Sequence, residues 1–291
     1  MLLELDTTMP VMPFNAWRRN IHSQSGEDGI IEQLLLTAKV NSRYFVEFGA
    51  WDGRHLSNCA KLADEGWSGC FIEGDATRFA DLKKNYDSRS DIFPVNSFVH
   101  ATGESKLDVI LDRAGAPGEI GVLSIDIDGC DYHVWRSVET HLPALCVIEF
   151  NPTIPAHVIY VQDDDSSVHR GCSLAALTRL SDEKGYALVA ATEWNAFFIR
   201  RTLCNIHDIR TYAPSDIKDR TYEAAIFHGY DGTMLVAGHR QLLWHGIDYG
   251  PQELQILPDQ LRTFVPGATE SVGAELVRFR KSRERKTDHR S

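Results

Sequence analysis

The sequence predicts an α/β protein: a doubly wound, Rossmann-like sheet, mostly parallel with one antiparallel strand, followed by a C-terminal extension. Three observations carry this. Short apolar runs rich in aromatic and β-branched residues alternate with helical patterns from Tyr44 onward. Acids recur where those runs end. The last two runs, Tyr186 to Ala191 and Asn195 to Ile199, are close enough to form a closing hairpin. The expected organisation is an arm over 1–21, a domain over 22–200, an extension over 201–277 packing on it, and a basic tail over 278–291 expected to lack order.

In chain order, the arm is irregular and contains Pro10 and Pro13. Ser25 and Asp28 have capping-box spacing ahead of a helix over 28–38, with Asp in place of the usual Glu or Gln; the same polar segment would suit the rim of a ligand site. Tyr44 to Phe48 reads as a buried strand, and Leu56 to Asp64 as a helix closed by Gly66. The Cys70 run is the second strand, and Asp75 caps a helix from Thr77 to Tyr86. A third strand spans Ile92 to Val99, and Leu107 to Arg113 is helical. Strands ending at Asp126 and Glu149 follow, then a helix from Ser173 to Lys184. In the extension, Phe227 to Gly238 reads as a turn and strand; aromatics near His245 suit a small core better than an acceptor pocket.

Chemistry is written at the strand ends. Gly49 and Gly53 occupy the turn after the first strand, where a ligand needs backbone without Cβ atoms in the way. No G-x-G stands in this turn, and Glu47 would repel a phosphate, so a dinucleotide is disfavoured. Glu73 ends the second strand, where an acid reaches ribose hydroxyls in a doubly wound sheet. Two acids at adjacent strand ends with no phosphate loop point to S-adenosylmethionine. Further along, Asp126, Asp128, Glu149 and Asn151 converge on the same crevice if their strands are parallel. Four oxygen donors form a hard-cation set, with Mg²⁺ first and Mn²⁺ or Ca²⁺ next; the alternative is that these acids cap helices and bind water.

Composition narrows the partners. With a formal net charge of −11, the chain lacks the basic face that nucleic acid requires. The six cysteines form no C-x-x-C pair and read as reduced core thiols. No basic-then-apolar leader and no long apolar span occur, so a cytoplasmic protein without membrane contact is expected. The expected partner is a small-molecule acceptor; self-association is left open.

Five segments together resemble the FkbM-like branch of class I methyltransferases: Ser23 to Gly29, Phe45 to Gly53, Phe71 to Asp75, Ser124 to Tyr132, and Val147 to Pro155. The resemblance covers roughly residues 22–200. It implies the methyltransferase version of the sheet and S-adenosylmethionine as cofactor. It also implies that Glu47, Gly49, Ala50 and Gly53 bind the methionine end, Glu73 the ribose and the Asn96 region the adenine, with Asp126 also at the cofactor. The acidic turn is similar to the metal turn of catechol- and caffeoyl-CoA-type O-methyltransferases, which implies Asp126, Glu149 and Asn151 as ligands of a divalent ion.

The chain departs from the catechol-type turn at Gly129, where that turn carries a lysine base. His133 is the candidate base, with His157 and His169 as further ones flanking the acidic loop of Asp163 to Asp165; a bound cation could make a base unnecessary. The expected reaction is O-methylation of a small hydroxylated acceptor, such as a sugar or natural-product intermediate. A nucleoside-binding module without catalysis, a metal-free N-methyltransferase and an NAD-linked oxidoreductase are the alternatives.

Overall fold

A computed structural model describes residues 13–264. The first twelve residues of the arm, and the whole of the tail expected over 278–291, lie outside them. Contacts divide the chain into two compact units, with Glu223 closing one and Ala224 opening the other.

The first unit is a seven-stranded sheet. Its strands are β1 (Tyr44–Phe48), β2 (Ser68–Glu73), β3 (Ile92–Asn96), β4 (Glu119–Ile125), β5 (Leu142–Glu149), β6 (Tyr186–Ala191) and β7 (Asn195–Arg200). They lie in the order β3-β2-β1-β4-β5-β7-β6. β1 to β5 are mutually parallel, and β7 runs antiparallel to both β5 and β6. The order reverses between β1 and β4, and in open α/β sheets ligands bind at the carboxyl ends of the strands at such a reversal.

Both faces are covered, which is why β1 is buried at all five positions, apolar except at Glu47. On one face Val46 and Phe48 pack with α4 (Leu107–Arg113), α5 (Asp131–Ser137) and α6 (Leu174–Glu183), which contribute Leu111, Trp135 and Leu177. On the other, Phe45 packs with α1 (Glu27–Thr37), α2 (Ala60–Asp64) and α3 (Ala76–Tyr86), through Leu34, Leu62 and Leu82. α7 (Arg201–His207) and α8 (Pro214–Ile217) complete the unit, with Ile217 buried in the core. All six cysteines are buried and free.

Two local expectations need correction. The capping pair at α1 is not Ser25 with Asp28. Gly26 is the N-cap residue, in a left-handed conformation (φ 94°), and Ser23 accepts from the Asp28 amide at 3.0 Å while donating to its carboxylate at 2.8 Å. The same carboxylate oxygen accepts from the amides of Ile21, His22 and Ser23, so Asp28 binds the preceding segment to the helix start. The helix after β1 begins at Ala60 rather than Leu56, because Leu56 is left-handed (φ 56°) and Ser57 and Asn58 are held by Glu47.

In the second unit, β8 (Ala224–His228) and β9 (Met234–Gly238) form an antiparallel ribbon, and β10 (Gln241–Leu242) pairs with β11 (Ile247–Asp248). The Gln255 side chain holds β9, accepting from the Met234 amide at 3.0 Å and donating to its carbonyl at 2.9 Å.

Candidate functional site

The predicted residues gather where the strand order reverses. Gly49 follows β1 with φ 75°, and a Cβ there would stand 1.6 Å from the Asp126 carbonyl oxygen. Glycine at this position therefore lets the ends of β1 and β4 approach each other, in addition to leaving backbone open. Ala50 is buried and donates its amide to the Ile72 carbonyl at 3.2 Å. Gly53 lies under α3, where its carbonyl accepts from the Tyr86 hydroxyl at 2.8 Å.

Glu47 is enclosed. One carboxylate oxygen accepts from Ser57 Oγ at 2.5 Å and the other from the Asn58 amide at 2.8 Å. Burial outweighs these bonds and pushes Glu47 up to about 7. Asn58 also donates to Ser124 Oγ at 3.1 Å, so the loop after β1 is tied to both β1 and β4.

Glu73 clasps two loops. Its oxygens accept from the Trp51 amide at 2.8 Å and the Asp75 amide at 2.7 Å. A carboxylate has about four acceptor positions, so two remain for hydroxyls of a ligand. Asn96 pairs with Glu73 in the sheet register, and its side chain donates to the Glu73 carbonyl at 2.8 Å. Beside them Trp51 has φ 51°, an outlier for a bulky residue, and the Arg78 guanidinium stacks on its ring at 3.8 Å. No signal in the sequence marked this pair, because it joins the turn after β1 to the first turn of α3.

The acids of β4 and β5 do converge. Asp126, Asp128 and Glu149 each offer a carboxylate oxygen, and these oxygens lie within 4.8 Å of one another. Burial, then Asp131, Asp128 and Glu47, pushes Asp126 up to about 8. Burial and then Asp126 push Glu149 well above its ordinary range. Asp128, in the turn, is exposed and left-handed (φ 55°). Asp131 holds this turn by accepting from the Ile127 and Gly129 amides, each at 2.9 Å. Asn151 turns to its own loop: its carboxamide oxygen accepts from the Thr153 amide at 2.9 Å and hydroxyl at 2.7 Å, and its nitrogen donates to the Arg170 carbonyl at 3.0 Å.

The loop after β5 folds back over this turn. Gln162 staples it internally, accepting from the Arg170 and Gly171 amides at 2.8 Å each and donating to the Val168 carbonyl at 2.7 Å. A Cβ on Gly129 would stand 2.8 Å from the Val168 carbonyl oxygen, so the position of the catechol-type lysine is filled here by another loop.

The two histidines at this turn differ. His133 is buried, with Nε2 2.8 Å from the Gln162 carbonyl oxygen. A carbonyl only accepts, so Nε2 carries the proton; Nδ1 is buried without a partner. His169 is exposed, with Nδ1 3.1 Å from the Asp128 carbonyl oxygen. By the same reasoning Nδ1–H donates, and the free lone pair sits on Nε2.

Strand order and the antiparallel β7 define the Rossmann-like methyltransferase fold. No family model matches the sequence, and no curated protein does. Among solved structures the chain is similar to TrmK of M. capricolum in complex with the natural cofactor product S-adenosyl-homocysteine, at 11% identity over 58% of this chain and 67% of that one, with a TM-score of 0.35. It is similar to the N-terminal domain of EvdMO1 with SAH bound, at 8% identity over 60% and 79%, with a TM-score of 0.39. A SAM dependent methyltransferase from Aquifex aeolicus is similar at 9% identity over 58% and 87%, with a TM-score of 0.36. Among the described residues no helix is long and apolar enough to cross a membrane.

Proposed function

We propose that this chain is a class I, S-adenosylmethionine-dependent methyltransferase of the FkbM-like branch, methylating a hydroxyl of a small polar acceptor with the help of a divalent cation. The observation that carries the reading is the carboxylate trio Asp126, Asp128 and Glu149, set beside the Gly49 turn and the Glu73 clasp. The donors fit the groups they would hold. All three of the trio are hard oxygen ligands, suited to Mg²⁺ or Mn²⁺, and burial together with their mutual repulsion raises the pKa of Asp126 and Glu149, a cost that a cation would relieve. Glu73 has acceptor capacity for ribose hydroxyls, and the absence of G-x-G speaks against a pyrophosphate.

When bound, the cofactor supplies an activated methyl group on a sulfonium, and a divalent cation lowers the pKa of an acceptor hydroxyl. The chain's own work is positioning. Glu73 would orient the nucleoside, and Asp126, Asp128 and Glu149 would hold the cation beside the acceptor hydroxyl. His169 accepts the hydroxyl proton at Nε2, its tautomer set by the Asp128 carbonyl. His133, the base favoured by sequence order, has its proton-bearing nitrogen committed to Gln162 and its other nitrogen buried, which supports a packing role.

Calorimetric titration with S-adenosylmethionine and S-adenosyl-homocysteine tests the cofactor, and repeating the transfer assay in EDTA tests the cation. Binding of both with no turnover of any acceptor would favour the non-catalytic module. Unchanged turnover in EDTA would remove the cation. A melting temperature raised by NADH but not by S-adenosylmethionine would favour the oxidoreductase.

A further inference from the structure

Lys218 follows α8 and its side chain is completely buried. Its ammonium donates to the Pro152 carbonyl at 2.7 Å, to the Asp219 carbonyl at 3.3 Å and to Glu223 Oε2 at 3.3 Å. All three protons therefore have acceptors. Burial still opposes the charge and lowers the Lys218 pKa. An aliphatic side chain would fill the same space without that cost, so stability alone does not account for a lysine here.

Pro152 sits in the turn that leaves β5, directly after Asn151 and three places beyond Glu149. Two backbone bonds hold that turn from other sides: the Phe150 amide donates to the Trp194 carbonyl at 2.9 Å, and the Asn151 amide to the Cys172 carbonyl at 2.8 Å. Lys218 adds the anchor at Pro152, from a segment distant in sequence. We infer that Lys218 is a positioning residue, whose ammonium fixes the turn after β5 and so sets where Glu149, three residues before Pro152, presents its carboxylate to the cation. The inference rests on the cation reading above. It gives the segment after the sheet a part in the site that neither its composition nor its spacing disclosed.

The test is calorimetry on the full chain with MnCl₂ as one probe and S-adenosyl-homocysteine as the other, on wild type, Lys218→Met and Lys218→Arg. The expected result for Lys218→Met is Mn²⁺ affinity weakened by about 10- to 100-fold, as for other residues that orient ligands. Its affinity for S-adenosyl-homocysteine should stay within about twofold of wild type, since Glu73 and the Gly49 turn are untouched. Lys218→Arg, which keeps the charge and donors, should recover part of the Mn²⁺ loss. If Lys218→Met does not fold, Glu223→Gln loosens the same ammonium and should weaken Mn²⁺ in the same direction by a smaller factor. Unchanged Mn²⁺ affinity in the folded variant, or equal losses for both probes, would overturn the inference. A wild type that binds S-adenosyl-homocysteine but no Mn²⁺ would instead overturn the cation reading, and the role of Lys218 with it.

Discussion

Asp126 and Glu149 leave the tips of two adjacent parallel strands and bring carboxylate oxygens within 4.8 Å of each other and of Asp128, where burial already disfavours charge. Two acids so placed hold a proton at neutral pH unless a cation takes its place.

Stability should therefore depend on pH in an unusual direction. Asp126 is raised from 3.8 to about 8, so between those values the folded chain binds more protons than the unfolded one, and stability falls as pH rises. Glu149 acts in the same sense, as does Glu47, raised from 4.5 to about 7. Asp108, whose pKa is lowered, works oppositely but only below its ordinary 3.8. The expected result is a melting temperature in EDTA that declines from about pH 5 to pH 8, and a flatter curve with Mn²⁺ present. An EDTA curve that rises over this range would contradict the assignment.

Replacing Asp126 by Asn removes a proposed cation ligand and a repulsion together. Mn²⁺ affinity should drop by about a hundredfold or more. In EDTA at pH 8 the variant should be more stable than wild type, by on the order of 1 kcal/mol, because Glu149 no longer faces a like charge. Thermal melts in EDTA read the second effect independently of activity.

Glu73→Gln is isosteric but turns one of the two oxygens that accept from the Trp51 and Asp75 amides into a donor, so one bond of the clasp is lost along with acceptor capacity toward a ligand. Affinity for S-adenosyl-homocysteine should fall by about 10- to 100-fold, the cost of losing hydrogen bonds to a charged group. Mn²⁺ affinity should be unaffected. Calorimetry with each probe separates the two halves of the crevice.

The histidines divide by role. With an acceptor in hand, His169→Gln should lower kcat by about 10²-fold or more, and added imidazole should restore part of it. His133→Gln should instead lower stability by about 1–3 kcal/mol through the lost bond to the Gln162 carbonyl, with kcat retained below the melting temperature.

Gly129→Lys restores the residue that the catechol-type turn carries, and should not restore its function. The new Cβ would meet the Val168 carbonyl, so the loop stapled by Gln162 has to move. Amide exchange over 161–171 should accelerate, and stability should fall by about 1–3 kcal/mol.

Much of this protein follows from local physics. Apolar runs alternating with helical periods specified the strands and their succession, because a strand buried on both faces tolerates few polar residues. The helix cap at Asp75 was legible for the same reason: the Thr77 and Arg78 amides it satisfies are its near neighbours in sequence. The acids were legible as candidates, since parallel strands deliver their carboxyl ends to one edge. Which acids face one another was decided by the tertiary structure. Register set Glu47 inward on Ser57 and Asn58, and Asn151 onto Thr153, while Asp126, Asp128 and Glu149 met. The loop over Gly129, the tautomers of His133 and His169, and the ammonium of Lys218 under Pro152 all join residues distant along the chain. Sequence spacing carries no information about such contacts, because their geometry exists only once the core has fixed the distances between loops.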